Sequence, residues 1–132
     1  DRLHLRGLEL SGLDLANRKL PGATIERCLL KGCRLTGVDL SSSRIRDVVF
    51  ERCRLDLANL SFAKIDRTRF EQCTFVDTFL EDSDLQGVEL RGCELSGVRV
   101  TDLRGTKMPL EDMLELAPAL GAALGITLTD AT

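Results

Sequence analysis

From Leu5 onward, every fifth residue is hydrophobic: Leu5, Leu10, Leu15, Leu20, Ile25, Leu30, Leu35, Leu40, Ile45, Phe50, Leu55, Leu60, Ile65, Phe70, Phe75, Leu80, Leu85, Leu90, Leu95 and Val100. At the chain's hydrophobic frequency of 43%, an unbroken run of that length has a chance on the order of 10⁻⁸ per frame. The period fits neither a helix at 3.6 nor a strand at 2. A second column runs two residues ahead of the first and is mostly small, with Ala23, Cys28, Cys33, Val38, Ser43, Val48, Cys53, Ala58 and Ala63 in succession. Across both columns the only charge is Arg18, where random placement would give about twelve. Both columns therefore face inward, and the other three positions of each unit face water. Eight of the eleven glycines sit two residues after the large one, from Gly7 and Gly12 to Gly92 and Gly97. A glycine at one fixed offset marks a recurring turn that needs positive φ or close backbone approach.

This pattern resembles the pentapeptide-repeat family, whose motif is Ala-(Asp/Asn)-Leu-X-X. Ala58-Asn59-Leu60 matches in full, and Val38-Asp39-Leu40, Ser83-Asp84-Leu85 and Leu13-Asp14-Leu15 match in part. The likeness runs from Leu3 to about Leu103. It implies a right-handed quadrilateral β-helix in which each unit forms one side and four units form one coil. The expected fold is an all-β solenoid of about five coils with a C-terminal α-helical cap, divided into a β-helix over 1–105 and a cap and tail over 106–132. With twenty residues per coil, Cys33, Cys53, Cys73 and Cys93 fall in one column about 4.8 Å apart, and five coils make a rod roughly 24 Å long.

The ends of such a rod are open edges. Beyond Val100, Pro109 in a first-turn position followed by Glu111 and Asp112 predicts a helix start. The spacing predicts a helix over 109–124 that is kinked or restarted at Pro118 and closed by Gly125. Its inward face is read as Leu110, Met113, Leu114, Ala117 and Gly121, with Leu120 and Leu124 on the flank, and Ile126-Thr127-Leu128 as a returning strand. At the other end, Leu3, Leu8, Leu13 and Arg18 break the small column. Either the larger side chains plug the mouth of the tube, or an upstream segment covers it.

Composition narrows the classes. The chain has 132 residues, enough for one domain. Aromatic residues make up only 4%, as five Phe with no Trp or Tyr, which a narrow tube of Leu-sized and small side chains explains. Phe50, Phe70 and Phe75 occupy neighbouring central positions and suggest a wider or bulged middle. A net charge of −3 gives no concentrated basic excess, so no direct nucleic-acid binding is expected. The most apolar stretch, Leu114 to Ile126, is broken by Pro118, Gly121 and Gly125 and falls short of a bilayer span of roughly 20 residues. An odd number of cysteines, five, suits reduced thiols in a cytoplasm better than a disulfide framework.

No catalytic, cofactor-binding or metal-ligating residues are singled out, and neither a cofactor nor a small-molecule substrate is expected. His4 is alone at an outward phase. Four cysteines strung along a line cannot surround a tetrahedral ion, so they read as buried apolar fillers. The outward apolar residues are the stronger clue: Leu29 and Val49 one coil apart, and Leu57, Phe62, Val76 and Phe79 near another corner. Single exposed apolar side chains are common, and against that stands a contact for a partner protein or a second copy of the chain. Asp39, Asp77, Glu81, Asp82 and Asp102 make a candidate acidic face, and Arg44, Arg46, Lys64, Arg27 and Arg67 a mildly basic one. The expected function is a rigid, non-catalytic interaction module or scaffold, in a bacterial setting. The family resemblance supplies the alternative of a DNA mimic that binds DNA gyrase and protects it from quinolones.

Overall fold

A computed structural model describes residues 2–130 of the chain. The strands are short: β1 (His4–Arg6), β2 (Glu9–Ser11), β3 (Thr24–Glu26), β4 (Leu29–Lys31), β5 (Arg44–Arg46) and β6 (Val49–Glu51). They continue as β7 (Lys64–Asp66), β8 (Thr68–Glu71), β9 (Phe79–Leu80), β10 (Val88–Arg91) and β11 (Arg99–Val100), followed by the helix α1 (Leu110–Ala123). All strand pairs are parallel and offset by twenty residues, as in Leu5↔Ile25, Leu30↔Phe50 and Phe70↔Leu90. β1, β3, β5 and β7 stack as the first side of the tube, and β2, β4, β6, β8 and β10 as the second. On the third side single bridges link Asp14, Arg34, Arg54, Thr74 and Glu94. The fourth side joins Lys19, Asp39, Asn59 and Phe79, and ends in the β9–β11 pair. Four sides per coil and about five coils follow directly.

The unit is five residues long because every corner needs one left-handed residue. All positions two after the large residue, from Gly7 to Gly97, have φ between +46° and +79°. Glycine fills eight of these corners, and eleven carry side chains, among them Asn17, Asp47, Leu57 and Phe62. A left-handed corner costs a side-chain-bearing residue roughly 1–2 kcal/mol, and tube closure imposes it at every turn. At Gly37 the corner is also crowded: a Cβ would collide with the Asn17 amide oxygen one coil below.

Inside the tube the large column is buried from Ile25 to Val100 and the small column from Ala23 to Val98. The central phenylalanines put no bulge into its strands. Phe50 and Phe70 stack at 4.6 Å and 9°, Phe75 meets Phe70 edge-on at 5.1 Å, and the twenty-residue register passes through unchanged. Stacked rings occupy the coil spacing that any pair of side chains would. In the first coil Leu3, Leu5, Leu13, Leu15 and Leu20 are half-buried against the core, while Leu8 and Arg18 are exposed.

The far end departs from expectation. The ladder runs past Val100: Lys107 donates to Val88 O and accepts from Leu90 N, both at 2.8 Å, at an offset shortened to roughly eighteen residues. The helix then lies across the end of the tube as one uninterrupted element, reaching the third side through Asp112 and Glu115 and β11 on the fourth, with Pro118 inside it on the exposed face. It does not restart there. The predicted inward face holds only at Gly121, which is buried. Leu110, Met113 and Leu114 are exposed, as is Ala117, and Asp112 and Leu116 are buried in their place.

The reason lies in the edge that the helix covers. In each lower coil the large residue of the third side donates its N–H upward: Leu35 to Arg54 O and Leu55 to Thr74 O at 2.8 Å, Phe75 to Glu94 O at 2.7 Å. Leu95 has no further coil, and the Glu115 carboxylate accepts its N–H at 2.9 Å. Asp112 accepts the Cys93 N–H at 3.1 Å, a donor whose counterparts on Cys33, Cys53 and Cys73 have no backbone acceptor in the next coil. The helix rotates to bring these two acids to the unpaired donors, because a buried N–H without an acceptor costs more than an exposed Leu. Gly125 closes the helix at φ +74° as expected. Ile126-Thr127-Leu128 forms no strand, and instead folds back so that Ile126 N–H meets Gly121 O at 2.6 Å.

Candidate interaction surface

The flat outer sides hold the functional candidates. The interior holds an apolar cavity of about 20 Å³ near the capped end, lined by residues such as Phe75, Leu95 and Leu116. That is room for about one water molecule. Ion pairs run up the outside between coils, as in Arg6–Glu26 at 3.5 Å, Arg34–Asp14 at 3.4 Å and Arg67–Asp47 at 3.0 Å. Asp14 accepts the Ala16 N–H and faces Arg34, which together hold its carboxyl below the usual range. Of the basic group on the first side, Arg46 is paired with Asp66, and Arg67 with Asp47 and Asp66. Leu29 and Val49 pair in register on the second side and are half-buried.

The structure brings Leu57, Phe62 and Phe79 together on the fourth side. Leu57 and Phe62 are its two corners in the third coil, 54% and 63% exposed, both at φ +61°. Phe79 sits between them one coil higher, half-buried, with the Arg99 guanidinium 5.2 Å from its ring centre. Val76 lies just round the Leu57 corner, and its carbonyl accepts the Leu57 N–H at 2.9 Å. The two apolar corners are directly overlain by acid corners, Asp77 above Leu57 and Asp82 above Phe62, in keeping with the twenty-residue offset.

Glu81 lies beside Asp82, and Asp102 one coil above it, where it accepts the Arg104 N–H at 2.9 Å. Asp39 stands apart in the second coil and accepts the Ser41 N–H at 3.0 Å. The acidic and apolar candidates therefore merge into one surface on three successive coils, with Asp39 outside it. Arg99 is the member that residue-by-residue inspection leaves out as a site residue. Its signal is the offset of twenty from Phe79, which stacks a cation on a ring face.

At the corner between the second and third sides, Cys33, Cys53, Cys73 and Cys93 form an unbroken buried column. The neighbouring Cys73 thiol draws Cys53 down to about 7, and its position between Cys53 and Cys93 pushes Cys73 far up. Burial raises Cys33.

Parallel coils, four sides and left-handed corners define a right-handed quadrilateral β-helix. The sequence model of the pentapeptide repeat region matches residues 23–100, more than half of the chain, and the chain belongs to the pentapeptide-repeat family. Among solved structures, a pentapeptide repeat protein from the Arabidopsis thaliana thylakoid lumen is 18% identical with a TM-score of 0.70, over 86% of this chain and 77% of that one. A pentapeptide repeat protein from the cyanobacterium Cyanothece 51142 is 18% identical over 82% and 85%, with a TM-score of 0.40. The plasmid-mediated fluoroquinolone resistance protein QnrB1 is 15% identical over 98% and 100%, with a TM-score of 0.30. The search of curated proteins found no match. Among the described residues no helix is long and apolar enough to cross a membrane.

Proposed function

We propose that the chain is a non-catalytic interaction module whose fourth side docks a partner protein presenting an apolar anchor rimmed by basic side chains. The observation that carries this is the pair Leu57 and Phe62. The fold asks only for a left-handed residue at a corner, which Gly, Asn or Asp supplies with least strain. Two bulky apolar residues take that position in one coil and expose more than half of their surface. Every side-chain-bearing corner shares that strain; what sets this pair apart is adjoining exposed apolar surface, which marks a site of contact. Asp77, Glu81 and Asp82 set the charge of the partner by complementarity. A reducing compartment such as the cytoplasm suits the five free thiols.

The test pairs a double variant, Leu57→Asn with Phe62→Asn, with two measurements. Backbone amide shifts of the wild type are followed during titration with a synthetic amphipathic peptide rich in Lys and Leu, and with its Glu-substituted counterpart. Shifts confined to the fourth side, with the basic peptide only and absent in the double variant, support the proposal. A light-scattering mass of two chains that drops to one in the double variant would assign the surface to a second copy. Duplex mimicry toward DNA gyrase asks for acid along the whole rod. Here four of the five candidate acids lie in or beyond the fourth coil, so that reading ranks second; unchanged gyrase supercoiling at micromolar protein removes it.

A further inference from the structure

The cysteine column has a regularity that filling space does not require. Each of the four sulfurs lies 3.5 or 3.6 Å from the carbonyl two residues earlier in its own coil, for example Cys53 from Glu51 and Cys93 from Arg91. Each also lies 3.3–3.8 Å from a carbonyl of the coil below, for example Cys73 from Phe50. The four thiols therefore share one rotamer, and the sulfurs are spaced by the coil rise of about 4.8 Å.

Among the described residues no three Cys, His, Asp or Glu side chains converge as a metal site, and a line of sulfurs cannot form a tetrahedron. A two-coordinate ion needs no convergence. Two metal–thiolate bonds of about 2.3 Å laid end to end span about 4.6 Å, which matches the spacing of neighbouring sulfurs. Thiolates also prefer soft ions. We propose that the column of Cys33, Cys53, Cys73 and Cys93 is a binding site for linear, two-coordinate soft metal ions, one held between Cys33 and Cys53 and one between Cys73 and Cys93.

Charge selects among such ions. Two thiols release two protons to water and give one sulfur electron pair each to the ion, with no change of oxidation state. A divalent ion such as mercuric ion then leaves a neutral unit, whereas a monovalent ion leaves one negative charge in an apolar tube, which burial disfavours. A wall one backbone thick separates the sulfurs from water, and beside Cys33 its corner is Gly32, where an added Cβ would meet nothing within 4 Å. Local opening of that corner is the way in. Cys28, in a different column between Leu8 and Val48, has no thiol neighbour and serves as the internal control.

The experiment offers mercuric ion as its bis-glutathione complex to the whole chain and reads stoichiometry by native mass spectrometry. The expected uptake is two ions per chain for the wild type and for Cys28→Ala, one for Cys53→Ala, and none for the double variant Cys53→Ala with Cys93→Ala, whose remaining sulfurs are two coils apart. On the loaded wild type, X-ray absorption should show two sulfur neighbours in line, and the melting temperature should rise because the ion holds native coils together. Equal uptake by the double variant, or a melting temperature that falls on loading, would overturn the proposal. The wild-type readouts decide the matter even where a variant folds poorly.

Discussion

Replacing Asp112 by Ala removes the acceptor for the Cys93 N–H while leaving the helix itself intact. Asp112 is 4% exposed and its bond to Cys93 spans 3.1 Å, so the amide is left in a site that water does not reach. An unsatisfied buried donor costs about 1–3 kcal/mol. For a chain of 132 residues the unfolding entropy is about 0.28 kcal/mol/K, which turns that cost into a fall in melting temperature of roughly 4–11 °C. Because neighbouring coils stabilise one another in series, the loss should also be local. Amide hydrogen exchange of Cys93 and Leu95 should quicken well before that of Cys33 and Leu35 in the second coil. Asp112→Asn keeps a carbonyl acceptor and should stay within about 1 kcal/mol of the wild type. If the Ala variant melts like the wild type with terminal-coil exchange unchanged, the helix covers that edge by apolar packing alone, and the account of its rotation fails.

Phe70→Ala removes a ring that is 2% exposed and packed against both Phe50 and Phe75; it should cost about 3–5 kcal/mol in denaturant unfolding, and a loss under 1 kcal/mol would mean that the middle collapses freely. Gly87→Ala should be more damaging than Gly12→Ala. Both corners are left-handed, but a Cβ at Gly12 meets nothing within 4 Å, whereas at Gly87 it lies 3.1 Å from the Arg67 backbone N. Gly12→Ala should cost about 1 kcal/mol by thermal melting, and equal costs for the two would refute the steric account.

The β-helix is legible in the sequence because each unit obeys a single rule: Leu35 and Cys33, or Leu55 and Cys53, must point inward, and nothing else in the unit must. The left-handed corners are only half legible, since glycine reveals Gly7 or Gly97 while Arg27, Ser42 and Gln72 take the same conformation without any local signal. The helix is legible in extent and not in rotation. With Leu110, Met113, Leu114, Leu116 and Leu120 spread around it, apolar spacing cannot choose a face, and the choice falls to the unpaired N–H groups of Cys93 and Leu95, which lie some twenty residues away. The acids that answer them, Asp112 and Glu115, look like ordinary first-turn and surface charges. The interaction surface is legible as a list of exceptions, and its geometry becomes readable only when the twenty-residue offset sets Asp77 over Leu57 and Asp82 over Phe62.

The in-register stacking also fixes which changes in length the rod tolerates. Excising Ser41–Leu60, one whole circuit, would join Leu40 to Ser61 and leave every later residue on its present side, only nearer the N-terminal end. Excising Ser41–Ile45 alone would turn everything downstream by a quarter of a revolution, carrying Phe79 off the side that holds Lys19 and Asp39 and placing Cys53 over Cys28. Growth or shrinkage in steps of twenty therefore changes the reach of the rod and preserves the direction in which it presents its surface, whereas a step of five redirects the surface and preserves the interior.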